Sequence, residues 1–318
     1  MREATMTPQS TPPGPVIAAL AAFVVLACRG PAQQDAQNGA VVAAADTLEL
    51  VGPGTISTSA NEFGVSVTAD GAEIYFGRAV ADGRMPVLRA IRAGERWEAP
   101  AEVPLLEDGV AIDPFVTADG TRLYFSSNAP LHPGDTTGDM NTWVAERTGN
   151  AWGAPRPLPE PLNSAGDEVF ASLAADGTLY FGRSTPGEPR HFYRAAPREA
   201  GFAAPVRLEI DTGSARVGNP AVAPDGSFLV FWATTGEDGG GPPDLMIRCR
   251  TGAGWGAPWN PGPPVNSGQA EIAPHVSADG HWLYFTSERP GLAAPPLAGE
   301  RPPGDIYRYP VSALRPGC

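Results

Sequence analysis

His275-Val276-Ser277-Ala278-Asp279-Gly280-His281-Trp282-Leu283-Tyr284-Phe285 is the stretch that decides how this chain folds. A partly apolar run meets Asp-Gly, a pair that turns the chain because Asp bonds its own backbone and Gly accepts positive φ. The chain then reverses into Leu-Tyr-Phe, three consecutive apolar residues that predict a strand buried on both faces. Four more copies precede it. Asp70-Gly71 leads to Ile74-Tyr75-Phe76, Asp119-Gly120 to Leu123-Tyr124-Phe125, Asp176-Gly177 to Leu179-Tyr180-Phe181, and Asp225-Gly226 to Leu229-Val230-Phe231. The turns lie 49, 57, 49 and 54 residues apart. A period near 50 built only from strands selects radial repetition of small antiparallel sheets, a β-propeller.

Further strands follow in most copies. Val87-Leu88-Arg89-Ala90 leads to Trp97 and Pro100, and Trp143-Val144-Ala145 to Trp152 and Pro155. Phe192-Tyr193-Arg194 leads to Phe202 and Pro205, and Leu245-Met246-Ile247 to Trp255 and Pro258. Proline there fits an outer edge, where a missing N–H costs little, and the aromatics read as packing between blades. The fifth copy stops after Ile306-Tyr307-Arg308-Tyr309, whereas Thr47-Leu48-Glu49-Leu50-Val51 precedes the first copy without a hairpin partner. Pairing that segment into the last blade closes the ring and removes two open edges. The expected fold is all-β: five blades of four antiparallel strands over residues 46–318, six blades being the alternative.

The units resemble the WD40-like, TolB-type propeller repeat of bacterial envelope proteins, with a signature near E-x-x-P-x-x-S-x-D-G-x-x-L-Y-F-x-S. The likeness runs over about residues 46–311 and is best from Glu271-Ile272-Ala273-Pro274 to Ser287. Leu162-Asn163-Ser164 and Val265-Asn266-Ser267 match its lead-in. Ala replaces Pro before Asp in four copies, and no acid stands eight residues before Asp225. Such a repeat specifies architecture and leaves function open.

Net charge is −13, and all 22 basic residues are arginine. No concentrated basic face exists for a phosphate backbone, so nucleic acid is not an expected partner. Val16 to Ala27 is a run of twelve uncharged residues ending before Cys28. It is too short for a hydrocarbon core of about 30 Å and has the anatomy of a signal h-region. The small residues before Cys28 resemble a bacterial lipoprotein signal, although Glu3 beside Arg2 weakens the positive start. The organisation read from this is a signal peptide (1–27), a tether (28–45) from acylated Cys28, and the propeller (46–318). A secreted soluble protein is the alternative. Cys249 and Cys318 either pair in an oxidising compartment or stay free. No metal motif, cofactor motif or catalytic triad is present.

Hairpin parity puts the Asp-Gly turns on one face. On the other lie the long connections Asn128–Thr142, Thr234–Pro243 and Glu288–Gly304, where recognition usually resides. Glu62, Asp113, Glu168 and Glu271 stand six or eight residues before their turns, an even offset that gives them one facing along a regular strand. Together they could ring the channel mouth and bind a cation or basic group; the bland reading is that each serves the repeat. His275 reads as a channel filler. The expected function is an envelope binding module for a protein, peptide or glycan, reaching the membrane only through its lipid. A glycan hydrolase using these carboxylates and a purely structural module are the alternatives.

Overall fold

The computed structural model describes residues 47–107, 109–210, 216–234, 240–252, 254–292 and 302–314. Apart from a 3-10 turn at Val311–Ala313, these residues form strands and loops. Five antiparallel sheets each begin with an inner strand: Glu62–Val67, Ala111–Val116, Asp167–Leu173, Val217–Val222 and Glu271–Val276. Each inner strand touches the next, and the fifth touches the first, so the ring is closed. The second strands are Glu73–Arg78, Arg122–Ser127, Leu179–Ser184, Phe228–Thr234 and Trp282–Ser287. The third are Val87–Ala93, Asn141–Thr148, His191–Ala195, Pro243–Thr251 and Asp305–Pro310. This is a five-bladed β-propeller, and the six-bladed alternative is discarded.

Closure follows the expected route. Glu49–Leu50 pairs antiparallel with the third strand of blade five, Glu49 opposite Arg308 and Leu50 opposite Tyr307. The Val51 N–H adds a bond to the Ile306 carbonyl, and Arg308 holds the Glu49 carboxylate at 2.5 Å. Ser57 latches the same strand, accepting from the Ile306 N–H at 3.0 Å and donating to its carbonyl.

The second strands explain why each copy carries three apolar residues in a row. Side chains alternate across a strand. In blade one, Tyr75 enters the core shared with blade two, while Ile74 and Phe76 enter the one shared with blade five. Leu123-Tyr124-Phe125, Leu179-Tyr180-Phe181, Leu229-Val230-Phe231 and Leu283-Tyr284-Phe285 divide in the same way, which gives five interfaces with five small cores. The outer aromatics join them as packing groups: Trp152 meets Tyr75 edge to face, Phe202 meets Tyr124, and Trp255 meets Tyr180. The fourth strands are only two residues long at Arg96–Trp97, Ala151–Trp152 and Gly254–Trp255, each followed within a few residues by proline.

An ionic brace joins blades one and two. Glu73 receives Arg89 and Arg147 at 2.5 and 2.8 Å, and the Tyr75 hydroxyl donates to it at 2.6 Å. Burial alone would push this carboxyl up, but the donors from both arginines and the tyrosine pull it down to about 2. Because the folded value lies below the unfolded one, Glu73 stabilises above about pH 4.5, and that contribution fades as pH falls toward 2. Glu73→Gln should therefore unfold more readily than the native chain at pH 7, with the gap narrowing in denaturant titrations at pH 3.

Cys249 is disulfide-bonded. Cys318, the partner considered for it, lies outside the described residues, as do Cys28 and residues 1–46, where the signal and tether were placed. No helix among the described residues is long and apolar enough to cross a membrane.

Candidate functional site

Every inner strand carries a bulge at one repeat position, six residues before the Asp-Gly turn. Gly64, Asp113, Phe170, Asn219 and Ala273 occupy it with φ between 50° and 64°, and each inner strand shifts register against its neighbour there. An extra residue in one strand bends it and re-aims the side chains beyond. Left-handed backbone costs a non-glycine residue about 1–2 kcal/mol. The ring geometry imposes this conformation, because all five blades adopt it although only one has glycine there.

The bulge overturns the even-offset reading of the four acids. Residues eight before the turn and residues six before it no longer share a facing. Glu62, Glu168 and Glu271 are fully buried and turned into the blades. Each accepts the backbone N–H and hydroxyl of a residue four positions earlier: Thr58, Ser164 or Ser267. Each also receives an arginine: Arg78 at 2.7 Å, Arg183 at 2.6 Å, and Arg289 at 3.2 Å. Burial pushes the Glu62 and Glu168 carboxyls up, against the pull of these donors. Just before the hydroxyl residue, Asn163 and Asn266 bracket the third strand of the preceding blade through the backbone of Thr142 and Leu245. The Asn-Ser lead-in and its glutamate thus bolt one blade to the next, and the three glutamates do not ring the channel.

Asp113 is the exception. It stands at the bulge, where it lines both a narrow axial void of about 30 Å³ and a cleft of about 680 Å³ on the loop-rich face. The residue keeps partial exposure, yet its Oδ2 is sealed and has no hydrogen-bond partner. Asn219, at the same bulge position in blade four, lies near enough to favour the ionised carboxyl. The Asn219 Oδ1 in turn accepts the Trp232 indole N–H at 2.5 Å. Burial pushes the Asp113 carboxyl up to about 7, with only modest relief from Arg190 and Asn219.

Aromatic and apolar groups wall the cleft. Phe63 covers Gly77 on the adjacent strand and Trp232 covers Gly218, which leaves no room for a side chain at either glycine. Phe170, Ile112, Ile272 and Met85 add to the apolar lining. Periodicity cannot reveal this arrangement, because blade four swaps the order, with glycine inside and the aromatic on the second strand.

His275 lines the axial void. Its Nε2 accepts the Val67 N–H of blade one at 3.3 Å, and its ring packs edge to face on Phe115. Ser66 and Ser172 do the same work elsewhere, accepting from Val116 and Val222. Burial pushes the His275 imidazole down to about 4, so it is neutral near pH 7. His275→Ala removes an inter-blade acceptor and should cost about 1–3 kcal/mol in denaturant unfolding, whereas His275→Ser should recover part of the loss.

On the opposite face the turn carboxylates are occupied locally. Asp70, Asp119, Asp176, Asp225 and Asp279 each accept the backbone N–H two residues on, and all but Asp176 also accept a nearby hydroxyl. Their glycines, Gly71, Gly120, Gly177, Gly226 and Gly280, all take positive φ.

Closed sheets, a clasped last blade and a cleft at the channel mouth define the class, a five-bladed propeller with a recess on its loop-rich face. No protein-family model matches the chain, and no curated protein matches it. Solved structures share the architecture. A putative TolB from Agrobacterium tumefaciens is 17% identical, with 72% of this chain and 71% of that one covered and a TM-score of 0.50. The catalytic domain of Coprinopsis cinerea GH62 alpha-L-arabinofuranosidase is 13% identical, covering 83% and 97%, also at 0.50. A GH62 hydrolase solved with xylotriose is 12% identical, covering 82% and 97%, again at 0.50. These likenesses are of fold.

Proposed function

We propose that the chain is a binding module of the bacterial cell envelope that holds its ligand in the loop-face cleft. One observation carries the reading. A recess of about 680 Å³ combines apolar walls with a few convergent polar groups, Asp113, Asn219 and Arg216, which is the usual make-up of a ligand site. The Asp-Gly face also has a recess, about 560 Å³ beside Asp225 and Asp279, but those turn carboxylates are already engaged by backbone N–H groups. An envelope location is supported by the signal-like run before Cys28, with the lipid as the membrane attachment. A glycosidase needs two carboxylates flanking one bond. Three of the four acids considered for that role are tied to arginines inside the blades, so binding is favoured over turnover.

The test is capture from an envelope fraction by the full chain, by Met85→Arg, which puts a charged side chain at the half-exposed rim of the cleft, and by Arg96→Ala on an outer strand. Capture lost only with Met85→Arg supports the reading. Equal capture by all three removes it, and release of sugar from oligosaccharides by the native chain would favour the hydrolase.

A further inference from the structure

We infer that the cleft takes an organic cation, an alkylammonium or guanidinium group seated against the Asp113 carboxylate between aromatic walls; this rests on the binding reading above and gives it a ligand class. Among the five bulge positions only Asp113 is charged, the others being Gly64, Phe170, Asn219 and Ala273. The repeat therefore does not require a carboxylate there. Asp113 stands in a strained backbone conformation in which glycine would serve; its Oδ2 is sealed and unpartnered, so a cation would meet the carboxylate on the side that stays open to the cleft. A buried carboxylate left short of donors is completed either by a proton or by a cation.

The surroundings favour the cation. Phe63, Trp232 and Phe170 line the cleft that Asp113 floors, and aromatic faces attract ammonium and guanidinium groups. Such a contact already exists at this wall, since the Arg190 guanidinium lies 5.3 Å from the centroid of Phe170. The Arg190 charge acts on Asp167 as well as on Asp113 and offsets only part of the effect of burial on Asp113. The other charged groups lining the cleft, Arg216 and Glu288, are of opposite sign. A net charge of −13 draws cations toward the molecule.

The experiment is calorimetric titration of the full chain with butylammonium chloride, with 1-butanol as the neutral counterpart, at pH 6 and pH 8. Butylammonium should bind and 1-butanol should not. Affinity should rise about tenfold between the two pH values as the Asp113 carboxyl ionises; His275 does not titrate in that window, because its value lies near 4. Asp113→Asn should abolish binding and its pH dependence. Nα-acetyl-lysine methylamide distinguishes the source: tighter binding than butylammonium indicates a peptide side chain, and weaker binding a free amine. Equal binding of 1-butanol, affinity unchanged in Asp113→Asn, or a flat pH response each overturns the inference. The pH series on the native chain decides even where the variant folds poorly. Should Met85→Arg lose capture while butylammonium fails, the cation class falls and the binding reading stands. Should butylammonium bind through Asp113 while capture is unaffected, the reverse holds.

Discussion

Deleting residues 47–51 should lower the thermal unfolding midpoint by roughly 10 °C or more, the largest loss expected from any small change in this chain. The segment supplies the fourth strand of blade five, the Val51 bond to Ile306 and the Glu49 partner of Arg308. Val51 is also buried in the core shared by blades five and one. Its removal leaves Asp305–Pro310 as an open edge, which invites pairing between molecules, so light scattering on heating should rise as well. Calorimetry of the truncated and full chains checks both. An unchanged midpoint would show that blade five holds its third strand without the first.

Asp113→Asn should stabilise the protein, and only toward alkaline pH. The folded carboxyl sits near 7 against an ordinary 3.8. A raised carboxyl is neutral and harmless below the unfolded value; its penalty grows as pH climbs to about 7 and is constant above. That rise corresponds to at most about 4 kcal/mol. Asn removes the charge and tolerates the left-handed backbone. Urea midpoints for the two chains should coincide at pH 4 and separate at pH 8, with the variant higher. A variant less stable at pH 8 would show that the carboxylate is already compensated. Loss of butylammonium binding alongside the gain would make Asp113 a residue kept at the expense of stability.

The repeat made the architecture readable from sequence because its turns and buried triplets are local chemistry. Asp279-Gly280 sets its own turn, and Leu283-Tyr284-Phe285 is apolar throughout because each residue meets one neighbouring blade or the other. The incomplete fifth copy likewise exposed the partner of Glu49–Leu50. The site was less legible. Counting residues from each turn assumes an unbroken period of two, and the bulge at Gly64 and its equivalents breaks it between Glu62 and Asp113. The hydroxyl four residues before Glu62, Glu168 and Glu271 was a visible sign that these acids serve the backbone. Nothing local marked Trp232, whose place over Gly218 depends on a cross-strand pairing.

The clasp between Glu49–Leu50 and Arg308–Tyr307 also sets an order of assembly. Its two halves are more than 250 residues apart, so the last blade cannot be completed until the stretch through Arg308 has been synthesised. Four inter-blade cores can form one after another as the chain emerges, while Ile74 and Phe76 wait for Tyr284 and Ile306. Contacts so distant in sequence are slow to form, and apolar surface left waiting is prone to stray association. The interface with the most to lose is therefore the last to form. A chain stopped just short of Ile306 would display the same unclosed seam as one that had lost its first strand.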